Sequence, residues 1–302
     1  MTRQDLELWV KKFLLYMRAE KNAAPLTLRA YEHDLKEFTD HCGEQAEISQ
    51  FRQSRLLVRD FWASLHQKKL RSSSILRKLA ALRSFFKFLV LEDVVDVNPF
   101  DYLTNPKKER LLPRFIVEKE MPKLWDAFDK TVHPLAVRDR ALLELLYSSG
   151  LRIRETVDLN MGDIDVWNGT VRVLGKGGKE RMVPVGKAAV RSIEAGVKWR
   201  ETRFSTPVTS KSPVFVNARG KRITPRGAQI VIDRWVKKAA LSTRVSPHTF
   251  RHTFATHLLN SGCDLRAVQE MLGHKSLNST QVYTHATIDH LRKVYESAHP
   301  RA

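Results

Sequence analysis

Cysteine is nearly absent from this chain of 302 residues: Cys42 and Cys263 are the only two, far apart in sequence. A disulfide framework is therefore not expected, and a reducing cytoplasm is the expected setting. Long apolar runs are missing too, so no segment reaches the about 20 residues that span a bilayer. The start, Met1-Thr2-Arg3-Gln4-Asp5, lacks the apolar core of a signal peptide. Acid is scarce: 33 Asp plus Glu face 52 Lys plus Arg, for a formal net charge of +19. Such an excess is the footprint of a polyanion binder, most often nucleic acid. A polybasic membrane binder would also need an amphipathic or lipidated anchor, and none is found.

Common cofactor signatures are missing as well. His248 and His252 are four apart, but no H-E-x-x-H occurs and no Cys pair supports a zinc site. The last quarter is poor in the clustered carboxylates that a two-metal nuclease needs. The cluster Gly175-Lys176-Gly177-Gly178-Lys179 lacks the G-x-x-x-x-G-K-[ST] spacing and leads to a strand rather than a helix. No metal and no cofactor are expected.

What is present reads as a folded protein of two domains: 42% hydrophobic residues, 14 Phe and 6 Trp. In the first hundred residues, four sets recur at helical spacing. They are Leu6, Trp9, Val10, Phe13, Leu14 and Met17; Leu28, Tyr31, Leu35 and Phe38; Leu57, Phe61 and Leu65; and Ile75, Leu79, Leu82, Phe86 and Leu89. The serines at 72–74 could cap the last. The pattern predicts a small helical bundle. Arg71, Arg77, Lys78, Arg83 and Lys87 flank the fourth helix and are candidate phosphate contacts, with an ordinary charged surface as the alternative. Residues 105–113, with Pro106, Lys107, Lys108 and Pro113, have no periodicity and read as a basic linker whose lysines are further candidates. The expected division is 1–104, 105–113 and 114–302. Two basic domains on a basic linker suit a clamp around a duplex.

The second domain reads as mainly helical with a small antiparallel sheet. A helix pattern over 135–149 ends at Gly150. Residues 170–174 and 181–185 read as strands about a tight turn carrying Lys176, and 214–216 as another short strand. Residues 224–241 read as a helix capped by Thr224. Arg152 and Glu155 are three apart, so Glu155 could hold that guanidinium or serve a neighbouring helix.

The stretch 246–284 carries the chemistry. Ser246 should cap a helix, Pro247 should be its first residue and Gly262 its stop. His248 and Arg251 would then share a face. A second short helix fits 264–272, with Gly273 at its C-terminus, followed by His274 and later Tyr283. Arg offers a planar fork for two phosphate oxygens. A phenol is a nucleophile once a base takes its proton, and His moves protons near neutral pH. Taken singly, each residue more often has a bland role: a solvated Arg, a hydrogen-bonded His, a packed Tyr.

Taken together, Gly150-Leu151-Arg152-x-x-Glu155, the Lys176 turn, His248-x-x-Arg251-His252, Leu272-Gly273-His274 and Tyr283-Thr284-His285 resemble the tyrosine site-specific recombinases. The likeness covers almost the whole chain and is to the bacterial Xer type. Its flanks at 135–141 and 298–301 are similar to the XerC branch. The resemblance implies a SAM-like core-binding bundle followed by a mixed α/β catalytic domain. It implies that Arg152 and Arg251 grip the scissile phosphate and that Tyr283 attacks it to form a 3′-phosphotyrosyl link. Lys176 would protonate the 5′-oxygen, His248 would act as acid or base, His274 would donate a hydrogen bond, and Glu155 would orient the site. It further implies double-stranded DNA as substrate and a second, XerD-like recombinase in a heterotetramer, with the tail after Tyr283 docked on a neighbour. Chromosome-dimer resolution in the cytoplasm, with a septal DNA translocase, is the implied role. A type IB topoisomerase and a catalytically silent DNA-binding regulator are the other readings of the same residues.

Overall fold

The computed structural model describes residues 2–43, 51–68, 70–106, 114–175, 180–243, 245–273 and 285–302. The chain divides into two compact units, residues 1–111 and 112–302.

The first unit is built from helices α1 (Arg3–Ala19), α2 (Pro25–Cys42), α3 (Phe51–Gln67) and α4 (Ser72–Leu91). Thr2 caps α1 through a reciprocal pair with Asp5, and Pro25 opens α2. The four periodic sets converge on one core. Phe38 meets Phe61, Phe86 and Phe100 edge-on, with ring centroids 5.1, 5.9 and 5.5 Å apart. The serine run does not cap α4. Its N-cap is Arg71, which makes no side-chain cap bond, and Ser72 already lies inside the helix.

Lys78 is also corrected. It faces inward at 4% exposure, where Nζ donates to Asp34 (2.9 Å) and to Glu37. Asp34 is fully buried and also accepts from Arg77. A buried carboxylate must be paired, and these two cations supply the pairing. Arg83 is turned onto its own chain, donating to the carbonyls of Phe100 and Leu103 and to Asn105. Arg71 and Lys87 are exposed, whereas Lys107 and Lys108 lie outside the described residues.

The second unit is arranged around α6 (Ala136–Ser149), which is buried along most of its length. Three charged side chains on it are satisfied internally. Arg138 reaches the Val216 carbonyl, Asp139 accepts from Trp235 Nε1 at 2.8 Å, and Glu144 pairs with Arg301. Around α6 lie α5 (Met121–Asp129), α7 (Ile153–Asp158), α8 (Lys187–Phe204), α9 (Pro225–Lys238), α10 (Pro247–Asn260), α11 (Leu265–Leu272) and α12 (His285–Ala298).

One antiparallel sheet of order β1-β2-β3 joins Ile164–Asp165, Thr170–Leu174 and Glu180–Pro184. Val173 pairs with Arg181 across β2 and β3. The strand expected at 214–216 is not one. The segment makes an isolated bridge from Val216 to Arg222 and single bonds to Leu159 and Ile223, because the chain turns away after each. Thr224 caps α9 by accepting from Gly227 N.

Residues 288–302 pack on the second unit. Ser148 Oγ bonds Tyr295 Oη at 2.7 Å, and His299 Nε2 lies 3.3 Å from the Tyr147 carbonyl.

Candidate active site

Helix α6 stops at Gly150, in the left-handed region at φ +59°. An added Cβ there would lie 2.4 Å from Phe254 Cδ1 of α10, so the two elements touch through a glycine. The released Gly150 carbonyl accepts from Arg251 Nη1 at 2.9 Å. Arg251 Nη2 donates to the Leu272 carbonyl at 2.5 Å. The guanidinium of α10 is thus fixed between the ends of α6 and α11.

Ser246 caps α10 as expected, accepting from Thr249 N at 3.2 Å, with Pro247 as the first residue. His248 is exposed on that first turn, two residues after the cap. Asp264 caps α11, and Gly273 ends it in the left-handed region.

Arg152 is the N-cap of α7. Its backbone N donates to Glu155 Oε2, and its Nη1 donates to Oε1, both at 2.9 Å. The same carboxylate receives a second fork from Arg181 of β3, at 3.1 and 2.9 Å. Arg181 Nε also donates to the Met271 carbonyl at 3.2 Å. Glu155 therefore holds Arg152, as one of the two alternatives had it, and its second partner lies on a strand rather than on a neighbouring helix.

Burial works against the Glu155 carboxylate, yet the Arg181 fork and the Arg152 contacts outweigh it and hold its pKa below the ordinary value. Burial, then the nearby charge of Arg152, pushes the Arg251 pKa down to about 10. Close guanidinium groups repel one another, and a bound dianionic transition state would relieve that repulsion.

The structure brings Arg152, Glu155 and Arg251 together, with His248 on the helix that carries Arg251. Lys176, His274 and Tyr283 lie outside the described residues. Sequence reasoning missed Arg181. Its signal was a cation at the buried register of β3, in line with Val183. His257 belongs to the core: Nδ1 lies 2.9 Å from Tyr147 Oη, and Nε2 lies 2.9 Å from the Ile116 carbonyl. Among the described residues, no cluster of His, Cys, Asp or Glu is placed to hold a metal ion.

Residues 114–290 match the phage integrase family, and residues 10–93 match its N-terminal SAM-like domain. The chain belongs to the phage integrase family. Tyrosine recombinase XerC of Halalkalibacterium halodurans is 46% identical over 297 residues, covering 97% of this chain and 98% of the relative. XerC of Pelotomaculum thermopropionicum is 44% identical over 301 residues, with 97% and 98% covered. XerC of Bacillus subtilis is 39% identical over 303 residues, with 99% and 98% covered. Among solved structures, XerH bound to palindromic difH substrate in a post-cleavage complex has the same fold, with TM-score 0.74 and 22% identity over 97% of this chain and 95% of that one.

This recombinase is XerC-like: it cuts and rejoins DNA at specific sites through a phosphotyrosine intermediate. Its mainly helical fold, with a SAM-like first domain and a small antiparallel sheet in the catalytic domain, is as the sequence led one to expect. Among the described residues no helix is long and apolar enough to cross a membrane.

Proposed function

We propose that Arg152 and Arg251 grip the non-bridging oxygens of the scissile phosphate and that Tyr283 is the nucleophile. The Tyr283 oxygen bonds to phosphorus as the bond from phosphorus to the 5′-oxygen breaks. Lys176 gives that oxygen its proton, leaving a free 5′-hydroxyl. His248 takes or returns the phenolic proton, His274 donates to the phosphate, and Glu155 orients Arg152. The ester to tyrosine keeps the free energy of the broken phosphodiester, so a partner strand's 5′-hydroxyl can reseal it without ATP. Fixed cations meet the extra charge of the transition state.

The observation that carries this reading is the joining of Arg152 and Arg251 to one cluster through Glu155, Arg181 and the adjacent carbonyls of Met271 and Leu272. These residues come from α7, β3, α10 and α11, far apart in the chain. Residues 1–104 would act as the core-binding domain, 105–113 as a basic linker and 114–302 as the catalytic domain.

The biological reading follows the relatives: resolution of chromosome dimers at a dif-like site during segregation. It takes place in the cytoplasm, in a heterotetramer with an XerD-like recombinase and under a septal DNA translocase. The test of the chemistry is Tyr283→Phe on a nicked suicide duplex. Covalent adducts should vanish while band-shift binding persists; adducts that survive the change mean the nucleophile is misassigned.

A further inference from the structure

Arg181 is the more deeply buried of the two arginines that pair with Glu155. It is 6% exposed, as against 44% for the Arg152 side chain. Each of its three nitrogens donates to protein: two to Glu155 and one to the Met271 carbonyl. An added Cβ on Gly273 would lie 3.1 Å from its Nε, so the α11 terminus is seated directly on the guanidinium.

Among the described residues, Glu155 is the only acid hydrogen-bonded to these arginines, and it sits beside Arg152. Unpaired, it would cancel one of the two cations offered to phosphate. We infer that Arg181 is a positioning residue of the cleavage site: it neutralises Glu155, so that Arg152 and Arg251 present their full charge to the scissile phosphate. The inference rests on the phosphate grip proposed above. Arg181 touches neither DNA nor the reacting atoms; its effect runs through its neighbours. A bidentate guanidinium suits this because it pairs both carboxylate oxygens and still leaves each able to accept from Arg152, Oε1 from its Nη1 and Oε2 from its backbone N.

Charge neutralisation and plain structural support predict opposite outcomes in a double-mutant cycle. Single-turnover cleavage of a nicked suicide duplex is measured on the full chain for Arg181→Met, Glu155→Gln and both together, with band shifts and thermal melting alongside. Arg181→Met is expected to slow cleavage about tenfold to a hundredfold, with duplex affinity unchanged. Adding Glu155→Gln to it should recover most of that loss, because the uncompensated negative charge is gone. Wild-type cleavage by Arg181→Met overturns the inference, as does a double variant no faster than Arg181→Met.

If Arg181→Met does not fold, the double variant is compared with Glu155→Gln alone, since it leaves no unpaired buried charge. Equal rates support the inference, and a further loss overturns it. Failure of the underlying reading shows differently: adducts would then survive Tyr283→Phe, whatever Arg181 does.

Discussion

Lys78 and Lys87 sit on the same helix, and only one of them faces water. The sequence put both among the phosphate contacts, because charge alone does not say which way a side chain points. Lys78 carries the pairing of Asp34 and Glu37. Lys78→Met should therefore destabilise the first unit by about 3 kcal/mol, since it leaves buried acid short of a partner. The same change should leave the salt dependence of DNA binding alone. Lys87→Ala should do the reverse, reducing the slope of log affinity against log salt by about one with little change in stability. Chemical denaturation and salt titrations of binding read the two effects. A fall in slope for Lys78→Met would contradict its burial. At the same scale, Arg181 went unassigned because its importance lies in one carboxylate from α7 and one carbonyl from α11, neither of them near in sequence.

Helix ends were the most legible elements. Ser246 with Pro247, Gly273, Thr224 and Gly150 all act where the residues suggested, because capping is decided within four residues, whereas Asp264, expected as the first residue of α11, is its cap. The serines before α4 failed, since Arg71 occupies the cap and the serines fall inside the helix. The expected strand at 214–216 failed for a different reason: a strand needs a partner, and partners are supplied by distant chain. Gly150 joins an element end to the active site. Gly150→Ala should cost about 2 kcal/mol, combining a left-handed φ with a clash against Phe254. It should also slow cleavage, because the Gly150 carbonyl holds Arg251. Urea melts and suicide-substrate rates measure both. A variant as stable as wild type would mean that the α10 contact yields easily.

Across the second unit, the C-terminal residues are part of the fold they follow. His299 stacks on Tyr295 with ring centroids 4.8 Å apart, and burial pushes its pKa down to about 3. The unfolded chain takes up this proton near pH 6.5, the ordinary value for histidine. Below that pH the unfolded state binds more protons than the folded one, so stability falls as pH falls from about 6.5 toward 3 and is level above. Each pH unit in that window should cost about 1.4 kcal/mol from this group. His299→Gln should flatten the dependence, read from melting temperature against pH. An unchanged pH profile would place the acid sensitivity elsewhere.

By itself the sequence determined the helical periodicity, the caps, the excess of cations and the set of residue types for phosphate chemistry, because each depends on neighbours in the chain or on totals. Tertiary structure alone decided which cations face outward, that Glu155 is shared by two arginines, and that the Arg251 fork lies between two helix ends. The physical reason is that burial and pairing are properties of space, and the groups that pair here come from segments scores of residues apart.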